Sequence, residues 1–244
     1  MKTLLKRLLN RTPYRVVRAS ARNRFLAQQE TLLTLSQRGY RPQRIVDGGA
    51  NVGEFARMAR SVFPDARIDL IEPQPSCQAA LTAFARASDG VMLHAVAVGR
   101  EEGTLAMAFD PSVPSTGAHI VIADESGSEA VQSVPVQTLN SILTGIARQD
   151  RTFLKLDLQG WELEALHGAL AVLPAIEVIL TEVSFYAQAY EPPIAKLISF
   201  LAENDFILYD IASLAARRRD NRAHQADFVF VRNDCALAAD KAWG

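Results

Sequence analysis

The sequence predicts one α/β domain: a mostly parallel sheet with helices on both faces and a β-rich insert after the third strand. Three observations carry this. Close to half of the 244 residues are hydrophobic, enough for one sizeable core. Short apolar runs alternate with helical patterns across short loops, and right-handed crossovers then force the strands to run parallel. The alternation lapses between about residues 103 and 140, where β-rich stretches separated by turn signals replace it.

The elements follow in order. Residues 28–39 form a helical pattern that stops at Gly39, with Pro42 preventing continuation. "RIVD" (44–47) is a short apolar run and reads as a buried parallel strand. A helix follows, with Val52, Phe55, Met58, Ala59 and Val62 on one face and Pro64 at its end. "RIDLIEP" (67–73) is the second strand, residues 76–88 a helix with Ser76 as N-cap, and "VMLHAVAV" (91–98) the third strand. The insert strands are 104–110, 118–124 and 131–139. The alternation resumes with strand 152–158, a helix from Trp161, strand 176–184 and a helix near 193–204. Two last strands, 206–212 and 226–233, are joined by an Arg-rich loop too short for a crossover helix, which makes them antiparallel. The expected organisation is a basic helical segment over 1–40, the domain over 41–235 and a tail over 236–244.

Composition narrows the function. A net charge of −1 gives no support to nucleic-acid binding. Cys77 and Cys235 have no metal spacing and fit a reducing, cytoplasmic location. No apolar run is long enough to span a membrane, and the first residues lack the h-region and cleavage site of a signal peptide. Lys2, Lys6, Arg7, Arg11, Arg15, Arg18, Arg22 and Arg24 all precede the first acid, Glu30. With Leu4, Leu5, Leu8 and Leu9 at helical spacing, that segment is either a solvated helix on the domain edge or a peripheral membrane or partner contact.

Open α/β sheets bind ligands beyond the carboxyl ends of their strands. The first such loop is Asp47-Gly48-Gly49-Ala50-Asn51-Val52-Gly53. Glycines let backbone approach a ligand, but a dinucleotide site uses them too. Asp47 discriminates. A pyrophosphate avoids a carboxylate, whereas a ligand with an ammonium or sulfonium group is attracted to one. S-adenosylmethionine carries both. Glu72, ending the second strand, suits two ribose hydroxyls.

The stretches "VDGGANVGEF" (46–55), "IEPQPSCQAAL" (71–81), "HAVAVG" (94–99), "VPVQTLNSIL" (134–143), "FLKLDLQGWELEALHGA" (153–169), "ILTEVS" (179–184) and "ADFVFVRN" (226–233) occur in the order of a known family. Through them the chain resembles the FkbM-type methyltransferases of the Rossmann-like, class I S-adenosylmethionine-dependent fold. The family usually carries Glu where this chain has Gln159 and Asp where it has Asn140. The resemblance implies a three-layer sandwich around a seven-stranded sheet with the last strand antiparallel. It also implies O-methylation of hydroxyls, often on sugars or secondary metabolites. The expected cofactor residues are Asp47, Gly48, Gly49, Asn51, Gly53, Glu72 and Ala97.

A sugar hydroxyl is a weak nucleophile that benefits from a base or a metal. Asp157 closes the strand "FLKLD" at the rim shared with Asp47 and is the leading candidate. Glu182 ends the neighbouring strand, and Glu162 opens the next helix as an N-terminal acid. His119, in the insert, and His224 are candidate bases because imidazole titrates near neutrality. No metal-ligand set is assigned; Mg²⁺ between Asp157 and Glu182 is the alternative. Arg217, Arg218, Arg219 and Arg222 can meet an anionic acceptor, and Trp161 can stack on a ring. Two rival readings are a nicotinamide-dependent reductase and a non-catalytic protein that docks through its N-terminus.

Overall fold

The structure, a computed structural model, describes residues 24–121, 131–186, 194–217 and 219–239. Residues 1–23, which hold all the N-terminal basic residues except Arg24, lie outside the described residues, as do 122–130 of the insert and Arg218.

Seven strands make the main sheet: β1 (Arg44–Gly48), β2 (Arg67–Ile71), β3 (Val91–His94), β8 (Thr152–Leu156), β9 (Ile176–Ser184), β10 (Phe206–Ala216) and β11 (Ala223–Arg232). Their order is β3-β2-β1-β8-β9-β11-β10. β11 enters antiparallel between β9 and β10, and the pairings from β9 to β3 are parallel. That is the expected sheet. The buried strands β1, β2, β8 and β9 are Val/Ile/Leu-rich because both their faces are covered.

Strand alternation sorts those side chains onto two faces. One face carries Ile45, Ile68, Phe153, Val178 and Val229. It packs under α1 (Arg24–Gln37), α2 (Glu54–Val62) and α3 (Pro75–Ala87). The other carries Val46, Leu154, Leu156, Ile179 and Phe228, under α4 (Leu139–Ile142), α5 (Glu162–His167) and α6 (Ile194–Glu203). α1 begins four residues earlier than the pattern predicted and buries Leu32 and Leu35 in the core. The predicted tail starts with a short helix, α7 (Ala236–Ala239), whose Leu237 is also core.

The third strand departs from expectation. Residues 91–98 are not one strand but two: β3 stays in the main sheet, while β4 (Ala97–Val98) joins a second, four-stranded sheet. β4 pairs with β7 (Val131–Gln137), Ala97 opposite Val136, and β5 (Gly103–Ala108) and β6 (His119–Ile120) complete that sheet. Val91 and Leu93 pack on the edge of one core and Ala97 and Val98 are buried, so the change of sheet leaves little mark in the apolar pattern. Residues 138–139 leave the third insert strand as well: Thr138 caps α4, accepting the Ser141 N–H at 3.1 Å.

Candidate functional site

A cleft of about 290 Å³ opens at the carboxyl ends of β1, β2 and β8. Its floor is the β1–α2 loop, with Gly49, Ala50 and Asn51, and its far side is Glu72 with Gln74. The insert closes over it through Met107, Ala118 and Ile120. Ser115 fastens the insert there. Its carbonyl accepts from Asn51 Nδ2 at 3.0 Å and Gln74 Nε2 at 2.9 Å, and its N–H donates to Gln74 Oε1 at 2.9 Å.

Gly49 lets the two central loops meet. It has φ +73°, and a Cβ there would lie 2.0 Å from the Asp157 carbonyl oxygen. No side chain fits in that space or readily takes that conformation. Gly168 of the "HGA" run plays a similar part away from the cleft, where a Cβ would lie 2.0 Å from the Gly99 carbonyl oxygen.

Glu72 is almost fully buried, and burial pushes its carboxyl up even though the Gln74 and Asn51 N–H groups favour the charged form. Those N–H groups reach Oε1 at 3.0 Å and Oε2 at 2.8 Å. Each oxygen keeps a second lone pair for a ligand.

Asp47 takes another place than the sequence implied. It has no exposed surface and lies beneath the loop rather than in the cleft. Its strand neighbour in register is Lys155, whose Nζ is 2.9 Å from Asp47 Oδ1. Nζ also donates to the Gly49 carbonyl at 2.9 Å and the Gly48 carbonyl at 3.3 Å. The positive charge that Asp47 meets is therefore the protein's own. Burial works against the Lys155 charge, but Asp47 and Asp157 raise its pKa above the ordinary value.

Alternation also places Asp157, Glu182 and Asp227 on the α1 face. Leu156 pairs with Thr181, one step before Asp157 and Glu182, and Asp227 pairs with Glu182. α1 crosses this corner and lowers Arg24 into it. Arg24 Nη2 is 3.1 Å from Asp157 Oδ2, Nη1 is 2.7 Å from Glu182 Oε2, and Nε is 2.8 Å from Asp227 Oδ2. Asp227 is held further by Gln28 Nε2 at 3.0 Å and Ser213 Oγ at 2.6 Å. Burial and the Asp157 carboxylate push Glu182 up to about 9, against the pull of Arg24. Burial, with a smaller push from the Asp157 carboxylate, takes Glu162 to about 7, although it accepts the Leu158 N–H at 2.6 Å. Glu162 thus pins the β8–α5 loop.

Of the predicted residues, Gly49, Asn51, Glu72, Ala97 and Asp157 line the cleft. Gly48 lies under the loop against Leu156, and Gly53 leads into α2. Glu182 stands one layer behind Asp157, in a small recess with Gly160 and Glu162. His119 is turned away: on β6 its neighbours Ala118 and Ile120 face the cleft, and alternation sends its ring to the other side, where Nδ1 lies 2.9 Å from the Gly117 carbonyl. His224 sits inside β11 rather than in a loop. Arg217 pairs with Asp220 and, with Arg222, stacks on Tyr186. The position between Asp157 and Glu182 where Mg²⁺ would bridge is filled by the Arg24 guanidinium. No three His, Cys, Asp or Glu side chains converge as a metal site among the described residues.

Comparison with known proteins gives the family. The methyltransferase FkbM domain matches residues 47–208. The chain belongs to this family. The FkbM domain here is 28% identical over 146 residues to Methyltransferase 1 of Beauveria bassiana and 29% identical over 155 residues to Methyltransferase sdnD of Sordaria araneosa. Each match covers 51% of this chain, and the matches span 57% and 59% of those relatives. Similar solved structures include magnesium protoporphyrin IX methyltransferase from Synechocystis PCC 6803 with bound SAH, at TM-score 0.46 and 12% identity over 95% of this chain and all of that one. Another is precorrin-6y C5,15-methyltransferase from Geobacter metallireducens GS-15, at TM-score 0.46 and 12% identity over 90% and 94% of the two chains. The two departures from the family's usual residues have local reasons in this FkbM domain. Gln159 Nε2 donates to Asp157 Oδ1 at 2.9 Å, where a glutamate would repel it. Asn140 Oδ1 accepts the Ala171 N–H at 3.0 Å, a bond that needs no charge.

Proposed function

We propose that this FkbM domain is an S-adenosylmethionine-dependent O-methyltransferase acting on a hydroxyl of a carbohydrate or glycosylated metabolite. The observation that carries the reading is the cleft itself: a buried acid with two open lone pairs at one end, Asp157 at the other, and apolar Ala97, Val98 and Ile71 between. Glu72 suits a ribose diol and the apolar walls suit a purine.

When bound, S-adenosylmethionine supplies an electrophilic methyl group, whose C–S bond breaks as the acceptor's O–C bond forms. The chain's own part is alignment and proton handling. Asp157 holds the acceptor hydroxyl and receives its proton. Trp161 and Phe25, both lining the cleft, offer ring faces to a sugar.

Calorimetric titration with S-adenosylmethionine, its demethylated product and NADPH tests the cofactor. The first two bind and NADPH does not. Glu72→Gln weakens binding about 10- to 100-fold, the scale of a hydrogen bond to a charged group. A protein that bound NADPH alone would sink the reading. Transfer of labelled methyl to carbohydrate fractions, with mass identification of the product, tests the acceptor.

A further inference from the structure

Arg24 is the last of the basic residues that precede Glu30, yet its side chain is two-thirds buried and lines the cleft. We propose that Arg24 is a positioning residue of the acceptor side: its guanidinium ties the cleft-facing Asp157 to two acids behind it, Glu182 and Asp227, and so keeps Asp157 free to take the acceptor's hydroxyl proton. This rests on the methyltransferase reading above and adds a residue from outside the matched stretch, 47–208.

The geometry asks for a guanidinium in particular. Three acids from three strands are met by three nitrogens of one plane, at 3.1, 2.7 and 2.8 Å. An ammonium is a point charge and cannot present separate edges to separate partners. Asp227 is the anchor. It is buried, out of the cleft, and gripped by Gln28 and Ser213 besides Arg24. Arg24 is thereby fixed on one edge and offers the other to Asp157 and Glu182. Glu182 is faced by Asp157 from β8, Glu162 from α5, Asp227 from β11 and Arg24 from α1, with Gln159 and Gln225 as neutral donors on Oε1. Three acids meet the one guanidinium, with Glu162 behind Glu182 and the Lys155 ammonium 3.9 Å from Asp157 Oδ2. Burial and the Asp157 carboxylate raise Glu182, behind the cleft, to about 9, which makes it the acid of this group that keeps its proton most readily. Removing the guanidinium withdraws the charge that separates the roles of Asp157 and Glu182.

The test uses Arg24→Gln and Arg24→Lys in the full chain. The protonation of Glu182 is read at pH 9 from the ¹³C shift of labelled glutamate carboxyls, assigned with Glu182→Gln. Wild type, with this carboxyl raised to about 9, is expected to be only partly protonated there. Arg24→Gln is expected to be almost fully protonated, since loss of an opposite charge at this distance raises a carboxyl by about 1–3 pH units. Arg24→Lys falls between the two. In methyl transfer, Arg24→Gln lowers kcat about 10-fold or more with KM for S-adenosylmethionine unchanged, and Arg24→Lys recovers part of it. An Arg24→Gln protein that binds S-adenosylhomocysteine like wild type and shows the same partly protonated Glu182 overturns the proposal. Should that variant not melt cooperatively, the comparison is repeated in an Asp227→Asn background, where the unpaired anchor charge is gone, with the same two outcomes. If wild type binds no S-adenosylhomocysteine, the methyltransferase reading fails, while the Glu182 measurement still decides the part played by Arg24.

Discussion

Two cation–carboxylate assemblies sit side by side on the α1–α2 face of the sheet, and they differ in closure. Lys155 pairs with the fully buried Asp47 and donates to the Gly48 and Gly49 carbonyls, while its Nζ lies 3.9 Å from Asp157 Oδ2. It sets the shape of the β1–α2 loop, and the acid it holds most closely, Asp47, has no exposed surface. Arg24 meets three acids, and one of these, Asp157, faces the cleft with a fifth of its side chain exposed. The same chemistry builds the floor when it is sealed and takes part in the site when one acid stays open. An acid at a strand end therefore reaches a ligand only if part of it stays exposed once the fold has paired it with a cation, as Asp157 does and Asp47 does not.

The contrast can be broken from either side. The largest effect is expected on the open assembly: Asp157→Asn lowers methyl transfer about 10²- to 10⁴-fold, the range of a lost general base, with little change in the melting midpoint. The sealed assembly should respond the other way round. Lys155→Met leaves Asp47 buried and unpaired and costs about 3–5 kcal/mol in urea unfolding, and adding Asp47→Asn restores most of it. If Lys155→Met is as stable as wild type, Asp47 and Lys155 do not form the buried pair described.

Glu162 gives a smaller, pH-dependent effect. Its carboxyl is raised in the fold to about 7, so its stabilisation is whole below its unfolded value and is lost as pH rises through about 7. Glu162→Gln should therefore raise the melting midpoint relative to wild type at pH 8, while the two proteins melt together near pH 4. Equal midpoints at both pH values would show that Glu162 is not held protonated. His119→Ala is expected to change least. Turnover within about twofold and stability within about 0.5 kcal/mol are the bounds for a side chain turned from the cleft.

Much of the fold was legible in the sequence because short apolar runs and helical spacing are local. The strand number and antiparallel β11 followed from loop lengths and the resemblance. The break at residues 95–96 was not legible, because Ala97 changes sheet only by pairing with Val136. In the site, Glu72 and Asp157 stood out as acids ending apolar strands. Lys155 was in plain view in "FLKLD", and a charged residue inside a buried strand was the sign that Asp47 had a partner. Arg24 carried no such sign. It looked like one more charge in a basic run, and its bond to Asp227 spans 203 positions.

That span also bears on synthesis. Arg24 is among the first of these residues to be made and Asp227 among the last. During translation, then, the guanidinium has no anchor until β11 slides in between β9 and β10. The residues of the cofactor cleft, Gly49 to Trp161, are all made by then. A ribosome-bound chain can hold the lining of the cleft well before it holds the Arg24 cluster, so among the described residues the step that completes this corner is the closing of α1 onto β11.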